Sequence, residues 1–129
     1  MGGTAARPSP RAVLAAETGA VWALDGSGRQ LLRVEAASGR VTAVTPLDNL
    51  EPAWMALAVG AGSVWVGGAR AQRAGPARGM VVDRIDPRSG RLVGAFTLAR
   101  NTKGFLAAGH GSLRLASFGG GELLRLDPP

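Results

Sequence analysis

The sequence has no cysteine, no tyrosine, a single histidine and a single lysine among its 129 residues. Without cysteine there are no disulfides and no thiolate metal sites, although that does not fix a compartment. One histidine, His110, leaves imidazole acid–base chemistry a single candidate. No apolar run reaches the roughly 18 residues of a membrane-spanning helix. Met1 to Pro10 lacks the apolar centre of a signal peptide, and Ala6 stands where a myristoylation signal wants Ser or Thr. Localisation therefore stays open. No helix-period segment of useful length is present either, which points away from helical folds.

The net charge of +6 comes from 14 arginines and one lysine spread along the chain rather than set in a block. That distribution points away from nucleic acid as a partner, which needs a concentrated basic surface.

Against these absences stands an internal repeat. Thr18-Gly19-Ala20-Val21-Trp22-Ala23-Leu24 returns as Ala61-Gly62-Ser63-Val64-Trp65-Val66-Gly67, and again as His110-Gly111-Ser112-Leu113-Arg114-Leu115-Ala116. A second block follows each copy: Leu32-Arg33-Val34-Glu35, Asp83-Arg84-Ile85-Asp86 and Leu124-Arg125-Leu126-Asp127. Val21 to Val64 is 43 residues and Val64 to Leu113 is 49, the period of a four-stranded propeller blade.

Each copy resolves into short strands divided by glycine turns. First strands are expected at Ala12–Ala16, Met55–Val59 and Gly104–Ala108, with second strands beginning at Ala20, Ser63 and Ser112. Third strands fall at Gln30–Glu35, Met80–Asp86 and Glu122–Asp127, and fourth strands at Arg40–Thr45 and Arg91–Thr97. Ser38-Gly39 and Ser89-Gly90 supply the hairpin turns between them, where glycine takes positive φ. The second strands are apolar on both faces instead of alternating. A sheet covered on both sides has that pattern.

The expected fold is all-β, a β-propeller piece of two to three four-stranded blades. A flexible segment covers 1–11, blade 1 covers 12–50, blade 2 covers 51–100 and an incomplete blade 3 covers 101–129. Gly19 to Gly39 is 20 residues and Gly62 to Gly90 is 28, so blade 2 carries an 8-residue insertion, most simply 71–78. Propellers close with roughly 4 to 8 blades. Missing blades of the same protein, or self-association, would have to supply the rest.

Gly-Ser-Val-Trp-Val at 62–66 and Arg-Ile-Asp-Pro-Arg-Ser-Gly at 84–90, followed by a short apolar strand, resemble the bacterial propeller family of YVTN-type repeat proteins and streptogramin B (virginiamycin B) lyases. The resemblance runs from about Ala12 onward. It implies the propeller fold and an often extracytoplasmic location, and it spans enzymes, binding domains and sensor modules of bacterial kinases and regulators. The lyases open the ester of a cyclic peptide antibiotic by elimination, using a histidine base, acidic residues and a divalent metal, magnesium in an assay. At the comparable positions this chain has Asp25, Gly68 and Ser117, so only Asp25 is acidic. His110 aligns with Thr18 and Ala61 in a turn, where a solvent-facing role is the simpler expectation.

The catalytic candidates are therefore His110 and Asp25, and they do not form a constellation. No metal site or resident cofactor is expected, and magnesium only if the lyase alternative holds. Trp54 and Phe105, near the starts of first strands, and Arg70, Arg73 and Arg78, in or beside the insertion, are the ligand-binding candidates for an unidentified small molecule or protein. Trp22 and Trp65 read as core. The Arg33/Glu35, Arg84/Asp86 and Arg125/Asp127 pairs read as structural, either salt bridges or turn-supporting acids. Taken together, the sequence suggests a noncatalytic binding or scaffold module; a lyase-like enzyme and a regulator's sensor domain are the alternatives.

Overall fold

The computed structural model describes residues 13–25, 29–48, 50–70, 79–98, 102–117 and 121–127, with backbone alone at 51–54 and 70. These residues are all-β, with no helix among them. They form three antiparallel sheets, two of four strands and one of three. The first sheet is a meander of β1 (Val13–Glu17), β2 (Ala20–Asp25), β3 (Gln30–Glu35) and β4 (Val41–Pro46). The middle sheet orders β5 (Leu50–Gly60), β6 (Ser63–Arg70), β7 (Val81–Ile85) and β8 (Leu92–Thr97) the same way. The third contains β9 (Gly104–Gly109), β10 (Ser112–Ser117) and β11 (Leu123–Leu126). No sheet closes on itself.

β5 differs from expectation. It begins at Leu50 rather than Met55, because a register irregularity between Glu51 and Ala56 lets the strand resume pairing with Ala69 and Arg70. Leu47 and Leu50, just before it and at its start, are fully buried and hold this extension to the core.

The sheets stack face to face, and the repeat sets the direction of stacking. Trp22, Leu24 and Leu31 of the first sheet pack against Leu57, Val64, Val66, Val81 and Ile85 of the middle sheet. On its other side the middle sheet presents Ala56, Ala58, Trp65 and Val82 to Leu113 and Leu115 of the third. Trp22 and Trp65 therefore look forward, toward the next sheet, and the residues flanking each, Val21 and Ala23 or Val64 and Val66, look back. Period-two alternation along the strand makes the two sides distinct. Among the described residues the middle sheet alone is covered on both faces, and Val64, Trp65 and Val66 in succession are at most 1% exposed.

The turns repeat in atomic detail. The Glu35 amide donates to the Arg40 carbonyl at 2.8 Å and the Gly39 amide to the Glu35 carbonyl at 2.8 Å; Asp86 with Arg91 and Gly90 with Asp86 do the same at 2.9 and 2.8 Å. Gly39 and Gly90 both sit at φ 73°, the left-handed conformation this turn requires. Both β3–β4 and β7–β8 carry an irregularity at the same place, between Arg33 and Val34 and between Arg84 and Ile85.

Candidate functional site

The most regular chemical feature is an arginine laid over a tryptophan. Cross-strand pairing places Trp22 opposite Arg33 and Trp65 opposite Arg84. The guanidinium carbons lie 5.9 Å and 5.2 Å from the ring centroids, within cation–π range. Each indole N–H is also satisfied. Trp22 Nε1 donates to the Glu17 carboxylate at 2.6 Å, and Trp65 Nε1 donates to the Gly60 carbonyl at 2.9 Å, the same offset of five residues. Arg84 Nε donates further to Ser63 Oγ at 2.7 Å. These are buried, locked groups of the sheet interfaces, and they serve the fold.

Of the two structural roles expected of the acids two residues after those arginines, Glu35 and Asp86 take the turn-supporting one. Ser38 Oγ donates to the Glu35 carboxylate at 2.6 Å, and Ser89 Oγ donates to that of Asp86 at 2.9 Å. The Arg88 amide adds a bond to Asp86 at 3.1 Å. That bond, with the Ser89 hydroxyl second, holds the Asp86 carboxyl below its ordinary range. Only in the third copy does the acid pair with its arginine, Arg125 Nε to Asp127 at 3.5 Å, and both side chains are well exposed. Where the tryptophan is present the arginine lies over it and the acid braces the turn.

His110 sits exposed in the β9–β10 turn at φ 48°, and Asp25 ends β2 in the first sheet. The middle sheet stands between them. Sheets packed face to face are spaced about 10 Å apart, so two such steps divide the pair. No proton could pass directly between them, and no group of three or more His, Asp or Glu able to hold a metal occurs among the described residues.

Trp54 lies inside β5 rather than before it, and its side chain falls outside what is described, as does that of Arg70 at the end of β6. Arg73 and Arg78, with the rest of 71–78, lie outside the described residues. Phe105 is the second residue of β9, inside the first strand expected at Gly104–Ala108, and is 65% exposed. Register puts it in a row with Ala116 and Leu123 on the outer face of the third sheet, beside a second row of Ala107, Arg114 and Arg125. Leu123 is 68% exposed. Of the ligand-binding candidates, Phe105 is therefore the one shown on an open face, next to apolar and cationic neighbours.

No protein-family model matches the chain, and no curated protein matches it. Among the described residues no helix is long and apolar enough to cross a membrane.

One group escaped the sequence reading. Asp83 on β7 is fully buried on the backward face, between Val81 and Ile85 and opposite Val66 and Ala95. Its equivalents are Leu32 and Leu124, so an acid at an otherwise apolar repeat position was the available signal.

Proposed function

We propose that this chain is a noncatalytic binding or scaffold module built of β-propeller-type repeats. The observation that carries the reading is the repeated stacking: two successive interfaces use the same forward face, marked by Trp22 and Trp65, against the same backward face of the next sheet. Adjacent first strands support the propeller arrangement, since β1 adjoins β5 and β5 adjoins β9. The exposed face of Phe105, Leu123, Arg114 and Arg125 is the contact surface best suited to a partner, with apolar area beside cationic donors.

The competing enzymatic reading, a streptogramin-lyase-like elimination, needs a base within hydrogen-bond reach of the proton it removes and an electrophile for the developing charge. Asp25 and His110 in separate sheets do not form such a site. Incubation of the purified chain with a streptogramin B antibiotic and magnesium, followed by mass spectrometry, should give no linear product. Turnover that disappears in His110→Ala would replace the module reading with the enzymatic one.

A further inference from the structure

The fourth strands β4 and β8 are the same element of the repeat with different outer edges. The first strands β1, β5 and β9 adjoin one another, and β4 and β8 lie at the far side of their sheets. Counted from Gly39 and Gly90, Thr42 corresponds to Val93, Val44 to Ala95 and Pro46 to Thr97. The phase of pairing is fixed at both ends of β7–β8, where the Asp86 amide donates to the Arg91 carbonyl and the Leu98 amide to the Met80 carbonyl, each at 2.9 Å. Bonded and non-bonded partners alternate along an antiparallel pair. Ala95 and Thr97, opposite Asp83 and Val81, therefore aim their N–H and C=O groups away from β7. By the same count from the bond between the Leu47 amide and the Arg29 carbonyl, Val44 and Pro46 aim outward on β4.

One edge thus carries a proline where the other carries a threonine. Pro46 has no N–H to offer, and proline on an edge strand is a usual guard against pairing with another chain. Thr97 keeps its donor. Thr42 on β4 is polar and bonded to Arg33, donating to its carbonyl at 3.3 Å and accepting from its guanidinium at 3.0 Å. Val93, at the same place on β8, is apolar and 58% exposed. From Leu92 to Leu98 there is no charge and no proline. Among the described residues, no backbone bond reaches the outward groups of Ala95 or Thr97. An exposed, apolar strand edge of this kind is a template for a further strand.

We propose that β8 is an edge-pairing strand, through which two copies of this chain join their middle sheets antiparallel about a two-fold axis at Phe96. In that register Ala95 of each copy exchanges both backbone bonds with Thr97 of the other, so all the outward groups of that stretch are satisfied together. Phe96 then lies directly opposite Phe96 of the second copy, as a non-bonded pair with Cβ atoms about 4.5–5.5 Å apart, where aromatic pairs are favourable. The strand's own sequence makes a second copy the occupant. Its outward residues match each other reciprocally, its length is uncharged, and antiparallel pairing sets the two Arg91 side chains at opposite ends of the junction. Two-fold pairing of one element with itself closes at two subunits. The proposal rests on the pairing phase and on the contrast with β4; it does not depend on the propeller reading. A junction of one strand pair is small, so the dimer should assemble and dissociate with concentration.

In sedimentation equilibrium the wild-type chain should move from monomer to dimer as concentration rises. Thr97→Pro installs the residue that β4 already carries and removes a donor that no bond within the sheet uses. It should keep the wild-type circular dichroism spectrum and raise the dissociation constant by about tenfold or more. Val44→Pro, the same kind of change on the guarded edge, should leave the dimer as it is. The absence of cysteine allows introduced thiols to report the register. Bonded partners lie about 5.5 Å apart at Cα, within reach of a disulfide. Ala95→Cys and Thr97→Cys chains mixed under oxidising conditions should therefore couple to each other in preference to themselves. A Thr97→Pro dimer as tight as the wild type would overturn the proposal, as would a folded wild-type monomer up to the solubility limit. Thr97→Cys chains that couple instead to Leu123→Cys chains would mean that β11 takes this edge, and would overturn it too.

Discussion

The second and third copies of the repeat differ at one position with wide consequences: Trp65 in the middle sheet corresponds to Arg114 in the third. Trp65 is 1% exposed, holds Arg84 over its ring and anchors its own N–H on Gly60. Arg114 is exposed and faces Arg125 across the strand pair, a like-charge contact that contributes nothing favourable. With no indole to lie on, Arg125 turns to Asp127, the acid whose equivalents Glu35 and Asp86 brace turns. The arginine on the neighbouring strand thus lies over a ring where there is one and beside an acid where there is none.

The largest effect expected from breaking this contrast is at the buried member. Trp65→Ala should cost about 3–5 kcal/mol, the usual range for removing a large aromatic from a core. The indole lies in the cluster joining the middle and third sheets, so the two should loosen together. Urea unfolding followed by far-ultraviolet circular dichroism, which reports the strands rather than the remaining tryptophans, measures it. A midpoint within error of wild type would mean that Trp65 is not structural.

Gly104 ranks second. A Cβ there would run into the Ala116 carbonyl and lie 3.0 Å from the Ser117 Cα, both backbone atoms of the paired strand that cannot swing aside. Gly104→Ala should therefore destabilise by about 1–3 kcal/mol through strand displacement. Gly94, with nothing near its would-be Cβ, is the control, and Gly94→Ala should be close to neutral. Equal unfolding midpoints for the two variants would show that β9 and β10 do not approach as described.

Much of this architecture was legible beforehand, because local chemistry specifies it. Gln30–Glu35 is β3 to the residue, and the Ser-Gly turns fall where glycine must take positive φ. The burial of Trp22 and Trp65 followed from apolar residues on both faces of short strands. Which of the two structural roles the repeated acids would take did not follow. Arg33 and Glu35 share a side of one strand, but spacing gives no sign that the indole on the neighbouring strand competes for the guanidinium. The early start of β5 was also hidden, since it depends on a register irregularity against β6. Of the candidate site, Phe105 was found by its type and position near a strand start; its neighbours Arg114 and Leu123 come together only through pairing across β9, β10 and β11.

The contrast can also be sharpened by restoring the missing ring. Arg114→Trp would place an indole opposite Arg125, with the Gly109 carbonyl five residues back, as Gly60 is from Trp65. Arg125 should leave Asp127 and stack, adding about 0.5–1 kcal/mol at an exposed site, and the like-charge pair disappears. The urea midpoint should rise, and Asp127→Asn should then have less effect than it has in the wild-type background. An unchanged or lower midpoint would show that the tryptophan in the other copies follows from burial alone and does not organise its arginine.

The smallest effect concerns the acid that the tryptophan leaves to the turn. The Arg88 amide and the Ser89 hydroxyl bond the ionised form of Asp86, so its folded-state value lies below its unfolded one. A group lowered on folding stabilises the protein above its unfolded value, and that contribution is lost as pH falls through the lowered folded value. Asp86→Asn keeps an acceptor for the same two donors but removes the charge. The wild-type advantage over Asp86→Asn should therefore be full at neutral pH and fade under acid, below the ordinary aspartate range. Urea midpoints of both proteins along a pH series, with the Asp86 carboxyl followed by NMR, measure the window directly. A difference between the two proteins that stays constant into acid would mean that hydrogen-bond geometry alone holds the turn, and that the charge freed from Arg84 contributes nothing there.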